Sequence, residues 1–220
     1  MQTPQLQHFY INEEQSIYLL SANDARKHKA WVRLCKQQLS KLGYQQIEFI
    51  GKGAYGFVFA GVNEYGQSHV FKFSRVNLPQ SVQDRLEEEA YMLSQVKHPN
   101  VPSAIKFERV GKQGILVMER AKGEDLDKIC QRLGALPPVM VVSIARQLAN
   151  ILYYLRKGKP LVHGDIKPSN LVYDIETDKL SLIDWGSAVF AQRDEHNRAV
   201  DDNVMSLLSS EQQHTNARMG

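Results

Sequence analysis

The chain has 220 residues, an apolar fraction of 43% and 27 Lys plus Arg against 24 Asp plus Glu, a net charge of +3. That length accommodates one sizeable domain or two small lobes with a packed core. No Lys/Arg-rich block marks a nucleic-acid arm or a membrane patch, so the charge balance names no partner.

The first stretch, MQTPQLQHFYINEEQSIYLL, lacks a basic region followed by an unbroken apolar run, and nowhere do about 18 apolar residues run together. A cytosolic chain is expected, although a secretion system that reads disordered termini would leave no mark of this kind. Residues 21–42 carry Ala30, Trp31, Leu34, Cys35, Gln38 and Leu42 at three- and four-residue spacing, with Asn23 or Asp24 as cap and Gly43 as stop. This predicts one amphipathic helix docked on its own domain.

From residue 45 the period changes to short runs rich in Ile, Phe and Val: QQIEFIG, FVFAGV and SHVFKFS, the last two joined by NEYGQ. They predict an antiparallel meander. Residues 79–97 return to helical spacing through Val82, Leu86, Leu93 and Val96 and stop at His98-Pro99. SAIKFERV and GILVMER follow as two strands around the turn GKQG.

Beyond Gly123 a short helix is predicted over 124–133 and a long one over 137–158. The long helix is apolar over most of its circumference and calls for burial on several sides. Two short strands at LVYDI and KLSLID precede a polar tail from Ala191. Cys35 and Cys130 have no Cys-x-x-Cys or His-x-x-x-His companion, so they read as two buried reduced thiols. A small sheet-based lobe followed by a helical lobe is the expected α+β arrangement.

Four segments carry chemistry. GKGAYGFV, residues 51–58, places Gly51, Gly53 and Gly56 between two strands, where a backbone without Cβ atoms can close over an anion. Lys72 lies alone among Val70, Phe71 and Phe73 and needs an anion or a path to solvent. Among Glu87, Glu88 and Glu89, the last begins a Glu-x-x-x-Leu spacing and is the chosen counter-ion. HGDIKPSN, residues 163–170, is broken by Gly164 and Pro168, so that a loop can aim Asp165 at a hydroxyl and Asn170 at a metal. LIDWG sets Asp184 at a strand end, and an Asn with an Asp plus phosphate oxygens makes a magnesium shell.

Together these segments resemble the protein kinase family over about residues 45–190. GKGAYGFV is similar to its Gly-rich loop, VFK to the strand bearing the phosphate-binding Lys, HGDIKPSN to the catalytic loop, and DWG stands at its Asp-Phe-Gly. The resemblance implies a two-lobed fold with an N-terminal helical extension (1–43), an N-lobe (44–119) and a partial C-lobe (120–220). It implies ATP and Mg2+ as cofactors and phosphoryl transfer to serine or threonine of a protein substrate, the Lys167-Pro168 pair being the form typical of that class. Asp165 becomes the catalytic base, Lys167 the γ-phosphate contact, and Asn170 and Asp184 the magnesium ligands. Lys72 with Glu89 anchors the inner phosphates, Glu119 and Ala121 read adenine at the hinge, Met118 guards the back of the pocket, and Val58, Val70 and Val172 sandwich the ring.

Three departures matter. Gly164 replaces the usual Arg before the catalytic Asp, which puts switching by a phosphorylated loop in doubt. Trp185 replaces Phe and should fill the same apolar slot. The chain stops at Gly220, short of the helices that bury the long helix in typical members. It therefore reads either as the front of a longer kinase or as a minimal kinase similar to bacterial effector kinases that lean on an activating protein partner. Rival readings are a nucleotide-binding scaffold and a small-molecule phosphotransferase. No nucleic acid or membrane partner is expected, and Ser206, Ser209, Ser210 and Thr215 are candidate autophosphorylation sites.

Overall fold

The computed structural model describes residues 4–9, 11–20, 25–52, 56–157, 160–193 and 199–200. The chain divides into two compact units, Met1–Lys97 with Pro102–Ala121, and His98–Val101 with Lys122–Gly220.

The first unit is built on a five-stranded antiparallel sheet in the order β1-β2-β3-β5-β4. Its strands are β1 (Gln45–Lys52), β2 (Gly56–Val62), β3 (Ser68–Ser74), β4 (Ala104–Val110) and β5 (Gln113–Glu119). Side chains alternate between faces with period two, and the register makes both faces consistent. Phe57 opposes Phe73 and Phe59 opposes Phe71, while Ile115 and Val117 oppose Phe73 and Phe71 on the next strand. These six form one aromatic-aliphatic face, and all are essentially fully buried.

That face is covered by the N-terminal segment: a 3-10 turn at Leu6–His8, α1 (Glu13–Leu20) and α2 (Ala25–Lys41). Trp31, Cys35 and Leu39 recur every four residues of α2 and are all 0% exposed. The Trp31 ring lies 4.1 Å from that of Phe57, and Phe9 stacks on Phe73 at 4.8 Å. The predicted helix is therefore present from Ala25 and docked on its own sheet. The sequence reading placed no element before residue 21; α1 has only eight residues, and two of its apolar side chains, Ile17 and Tyr18, are exposed.

On the opposite face of the sheet lies α3 (Gln80–Ser94), which buries Leu86, Glu89, Ala90 and Leu93.

The second unit contains the pair β6 (Glu124–Asp125) and α4 (Leu126–Leu133), then α5 (Pro138–Leu155), β7 (Leu161–Val162), β8 (Leu171–Asp174), β9 (Lys179–Leu182) and β10 (Val189–Phe190). β6, β8 and β9 form one small sheet, and β7 pairs with β10. Asp125 caps α4 by accepting from Lys128 N at 2.9 Å. Cys130 is exposed, which corrects the expectation of two buried thiols: α4 turns Leu126 and Ile129 inward, and Cys130 follows on the outer side.

α5 is apolar over most of its circumference, yet only one side of it is buried among the described residues. Only Ser143, Ile144, Ile151 and Leu155 are buried, and Val139, Val142 and Tyr153 stay 83%, 66% and 62% exposed. No described element covers that side. α5 is also long and apolar enough to cross a bilayer by length and composition, as core helices of globular proteins can be.

Candidate active site

In the first unit, β3 presents Lys72 on the face away from the aromatic core. Val58 opposes Lys72 across β2, and Val70 opposes both Ala60 and Met118, so Val58, Val70, Lys72 and Met118 share one face. Lys72 Nζ reaches Glu89 Oε1 of α3 at 2.5 Å, with the carboxylate side chain only 6% exposed. An ammonium on this apolar face and a buried carboxylate each need the other, since either charge alone would be costly to desolvate. The choice of Glu89 over Glu87 is matched by position: Glu87 turns outward and binds Arg109.

Gly51 is the last residue but one of β1 and Gly56 opens β2, while Gly53 lies outside the described residues. A Cβ on Gly56 would collide with the Phe73 carbonyl, so the close strand approach there requires glycine. At the far end of β5, Glu119 N donates to Ser103 O at 3.0 Å and Glu119 Oε2 accepts from Ser103 N at 3.0 Å. Ala121 N–H makes no hydrogen bond to a described residue. A cavity of about 540 Å3 lined by Phe9, Asn12, Glu14, Val76 and Lys112 shares no residue with this face.

In the second unit, the loop between β7 and β8 gathers Asp165, Lys167 and Asn170 around one carboxylate oxygen. Asp165 Oδ2 accepts from Lys167 Nζ at 2.7 Å and from Asn170 Nδ2 at 3.0 Å, and Asn170 Nδ2 also donates to Asp165 O at 2.9 Å. Hydrogen bonding to Asp165, offset in part by desolvation, raises the Lys167 pKa, with further help from the charges of Asp165, Asp184 and Asp127. Asp184 is thus within electrostatic reach of the same loop. Its backbone sits at φ 64°, a left-handed conformation that Asp tolerates better than most residues. Ile183 N donates to Asn170 O at 3.0 Å, which ties the segment carrying Asp184 to the one carrying Asn170. Val172 is buried on β8, opposite Ser181.

Two residues that the sequence does not mark as site residues organise the surroundings, His163 within this loop and Asn100 at β9. His163 is 2% exposed; its Nδ1 accepts from Asp165 N at 3.3 Å, so Nε2 carries the proton and donates to Ile183 O at 3.1 Å. It fixes the backbone on both sides of the site, and Trp185, 1% exposed, packs edge-on against it at 4.8 Å. Asn100 accepts from Leu182 N at 2.9 Å through its carbonyl and donates from its amide to Gln147 Oε1 at 3.0 Å and Leu180 O at 2.5 Å. The only available signal was a buried-type His and an Asn beside motifs already chosen. Gly164 sits at φ 78°, and a Cβ there would lie 2.5 Å from Ser187 O, so an Arg does not fit this backbone. Ser206, Ser209, Ser210 and Thr215 lie outside the described residues.

The protein kinase domain family matches residues 44–208. The chain belongs to the protein kinase family. It is 30% identical over 168 residues to "Serine/threonine-protein kinase 36" of Pongo abelii, covering 76% of this chain and 12% of that protein. It is 31% identical over 143 residues to "Calcium-dependent protein kinase 5" of Plasmodium falciparum (isolate 3D7), covering 63% and 25%. Against "Serine/threonine-protein kinase B" of Synechocystis sp. the identity is 29% over 176 residues, covering 76% and 28%. The kinase chain therefore spans about a quarter or less of the length of the first two relatives.

Proposed function

We propose that the chain transfers the γ-phosphoryl group of ATP, with magnesium, to serine or threonine hydroxyls of a protein. The reading is carried by the Asp165 carboxylate: Lys167 and Asn170 both engage Oδ2, which leaves Oδ1 to receive a proton. In the transfer, the substrate hydroxyl oxygen bonds to the γ-phosphorus, the bond to the β,γ-bridging oxygen breaks, and the hydroxyl proton passes to Asp165. The protein's share is positioning and charge neutralisation.

The residues present fit both groups. Asn170 spends its amide nitrogen on Asp165, which frees Oδ1 as an oxygen ligand, and Asp184 supplies a carboxylate of the kind magnesium prefers. Magnesium, when bound there, would offset the charge of the phosphates. Lys72, held by Glu89, is the cation for the inner phosphates, and Ala121 N–H with the apolar set Val58, Val70 and Met118 suits adenine.

The test is transfer of radiolabelled phosphate from ATP to a generic protein acceptor, with Asp165→Ala alongside. Loss of a general base costs about 10²–10⁴-fold, so the variant should fall by that factor. Equal transfer by the variant, transfer to aminoglycosides only, or ATP binding without transfer would each overturn the proposal, the last in favour of a scaffold.

A further inference from the structure

Helix α2 lies outside the residues 44–208 that match the kinase family. Its buried stripe explains why it docks on the sheet and leaves its outer side unexplained. In 17 residues it carries Arg26, Lys27, Lys29, Arg33, Lys36 and Lys41 and no Asp or Glu. Subtracting those six cations from the whole-chain charge of +3 leaves −3 for the remainder. Beyond Arg26-Lys27-His28-Lys29 the cations are spread along the helix, so no long basic block shows in the linear sequence.

At about 100° per residue, Arg26, Lys29, Arg33 and Lys36 fall within about 80° of arc, on the side opposite Trp31, Cys35 and Leu39. They form a straight ladder about 15 Å long at 1.5 Å per residue. Several cations elsewhere are matched: Arg109 binds Asp84 and Glu87, Lys128 binds Asp125, and Arg132 binds Glu124. Lys29, Arg33 and Lys36 make no ion pair with a described residue. Like charges one turn apart oppose the helix that carries them, and here nothing on the helix offsets them.

One end of the ladder adjoins the glycine hairpin. The His28 ring lies 5.5 Å from Phe49 of β1 and 5.6 Å from Phe57 of β2, the two strands that bear Gly51 and Gly56. Burial and then the charge of Lys52 lower the His28 pKa, so a further cation stands close by. Membrane insertion is not open to α2, because its apolar stripe is fully spent on the sheet. The outward stripe holds no aromatic on which a base could stack. A protein segment rich in carboxylates matches the charge, and the neighbouring hairpin gives such a segment a reason to be there.

We propose that Arg26, Lys29, Arg33 and Lys36 on the outer side of α2 form a docking surface for an acidic stretch of the protein substrate. This rests on the kinase reading above, and the experiment separates the two. Two fluorescent serine-containing peptides of equal length, one with eight consecutive glutamates and one with eight glutamines, are titrated with the full chain at low salt. The comparison protein is Lys29→Gln/Arg33→Gln/Lys36→Gln, whose exposed or half-exposed positions leave the core intact. The acidic peptide should bind about tenfold or more tightly than the neutral one, the difference should vanish in the variant and shrink with salt, and the KM for phosphate transfer should follow. Binding of the acidic peptide without any transfer would uphold the surface and remove the catalytic reading. Equal binding of both peptides, unchanged binding by the variant, or retention of duplex DNA or anionic vesicles but not the acidic peptide would overturn the proposal.

Discussion

Helices α2 and α5 are both apolar enough to need a partner, and they meet opposite fates. α2 places Trp31, Cys35 and Leu39 at 0% exposure against six sheet residues, while α5 leaves Val139 and Val142 more than half exposed. The difference lies in neighbours rather than in periodicity. α2 packs, with the rest of the N-terminal segment, on a sheet face of four Phe, one Ile and one Val. α5 has β9 and the Asn100 network on one side and no described element on the other. An amphipathic pattern states that a face must be buried; it does not state by what.

The largest effect expected from this contrast is at Trp31. Trp31→Ala should lower unfolding stability by about 3–5 kcal/mol, the range for emptying a buried aromatic site, read from denaturant midpoints. Because Trp31 Nε1 is buried with no hydrogen-bond partner among the described residues, Trp31→Phe loses no hydrogen bond to them and should cost less than about 1.5 kcal/mol. A mild Trp31→Ala would mean that α2 is detachable from the sheet, and the docking surface on it would then lack a rigid base.

Much of the fold was legible in these terms. Alternation placed β1 to β5 because Phe57, Phe59, Phe71 and Phe73 obey period two, and His98-Pro99 ended α3 to within a few residues. The Lys72–Glu89 pair was legible because a lone cation in an apolar strand demands an anion, and helical spacing left few candidates. The loop geometry was not. Nothing in HGDIKPSN states that His163 turns inward to accept from Asp165 N, or that Gly164 holds a positive φ against Ser187 O; both depend on backbone arriving from residues 183–187. Cys130 differs from expectation because an apolar residue type does not by itself imply cover.

A smaller effect, and of known sign, comes from the histidines His69 of β3 and His28 of α2. Burial lowers the pKa of His69, against a raising influence from Glu119, and its Nδ1 lies 2.8 Å from Tyr44 Oη, whose own pKa burial pushes up to about 12. His28 is lowered as well. With folded values below the unfolded value of about 6.5, the unfolded chain binds more protons as the solution is acidified. The stabilising contribution is therefore complete above about pH 6.5 and is lost as pH falls below it. Melting temperatures from pH 8 to pH 5 should decline on the acid side, and His69→Gln should flatten part of that decline. A profile unaltered by His69→Gln would place the acid sensitivity elsewhere, for example at His98, which is lowered by burial beside Tyr154 in the other unit.

The smallest effect should come from the outer side of α5, and there the contrast is most easily broken. Val142→Ser and Tyr153→Ser remove apolar surface that is already in water, so each should change stability by no more than about 0.5 kcal/mol. Both should reduce binding of a hydrophobic dye, because contiguous exposed apolar surface is what such dyes report. Ile144→Ala, one position from the buried Ser143 on the inner side of the same helix, should cost about 2–5 kcal/mol. If Val142→Ser instead cost more than about 2 kcal/mol, the outer side would be covered in solution. Concentration dependence of the melting temperature would then distinguish cover by a second copy from cover within the chain, since only association makes stability depend on protein concentration.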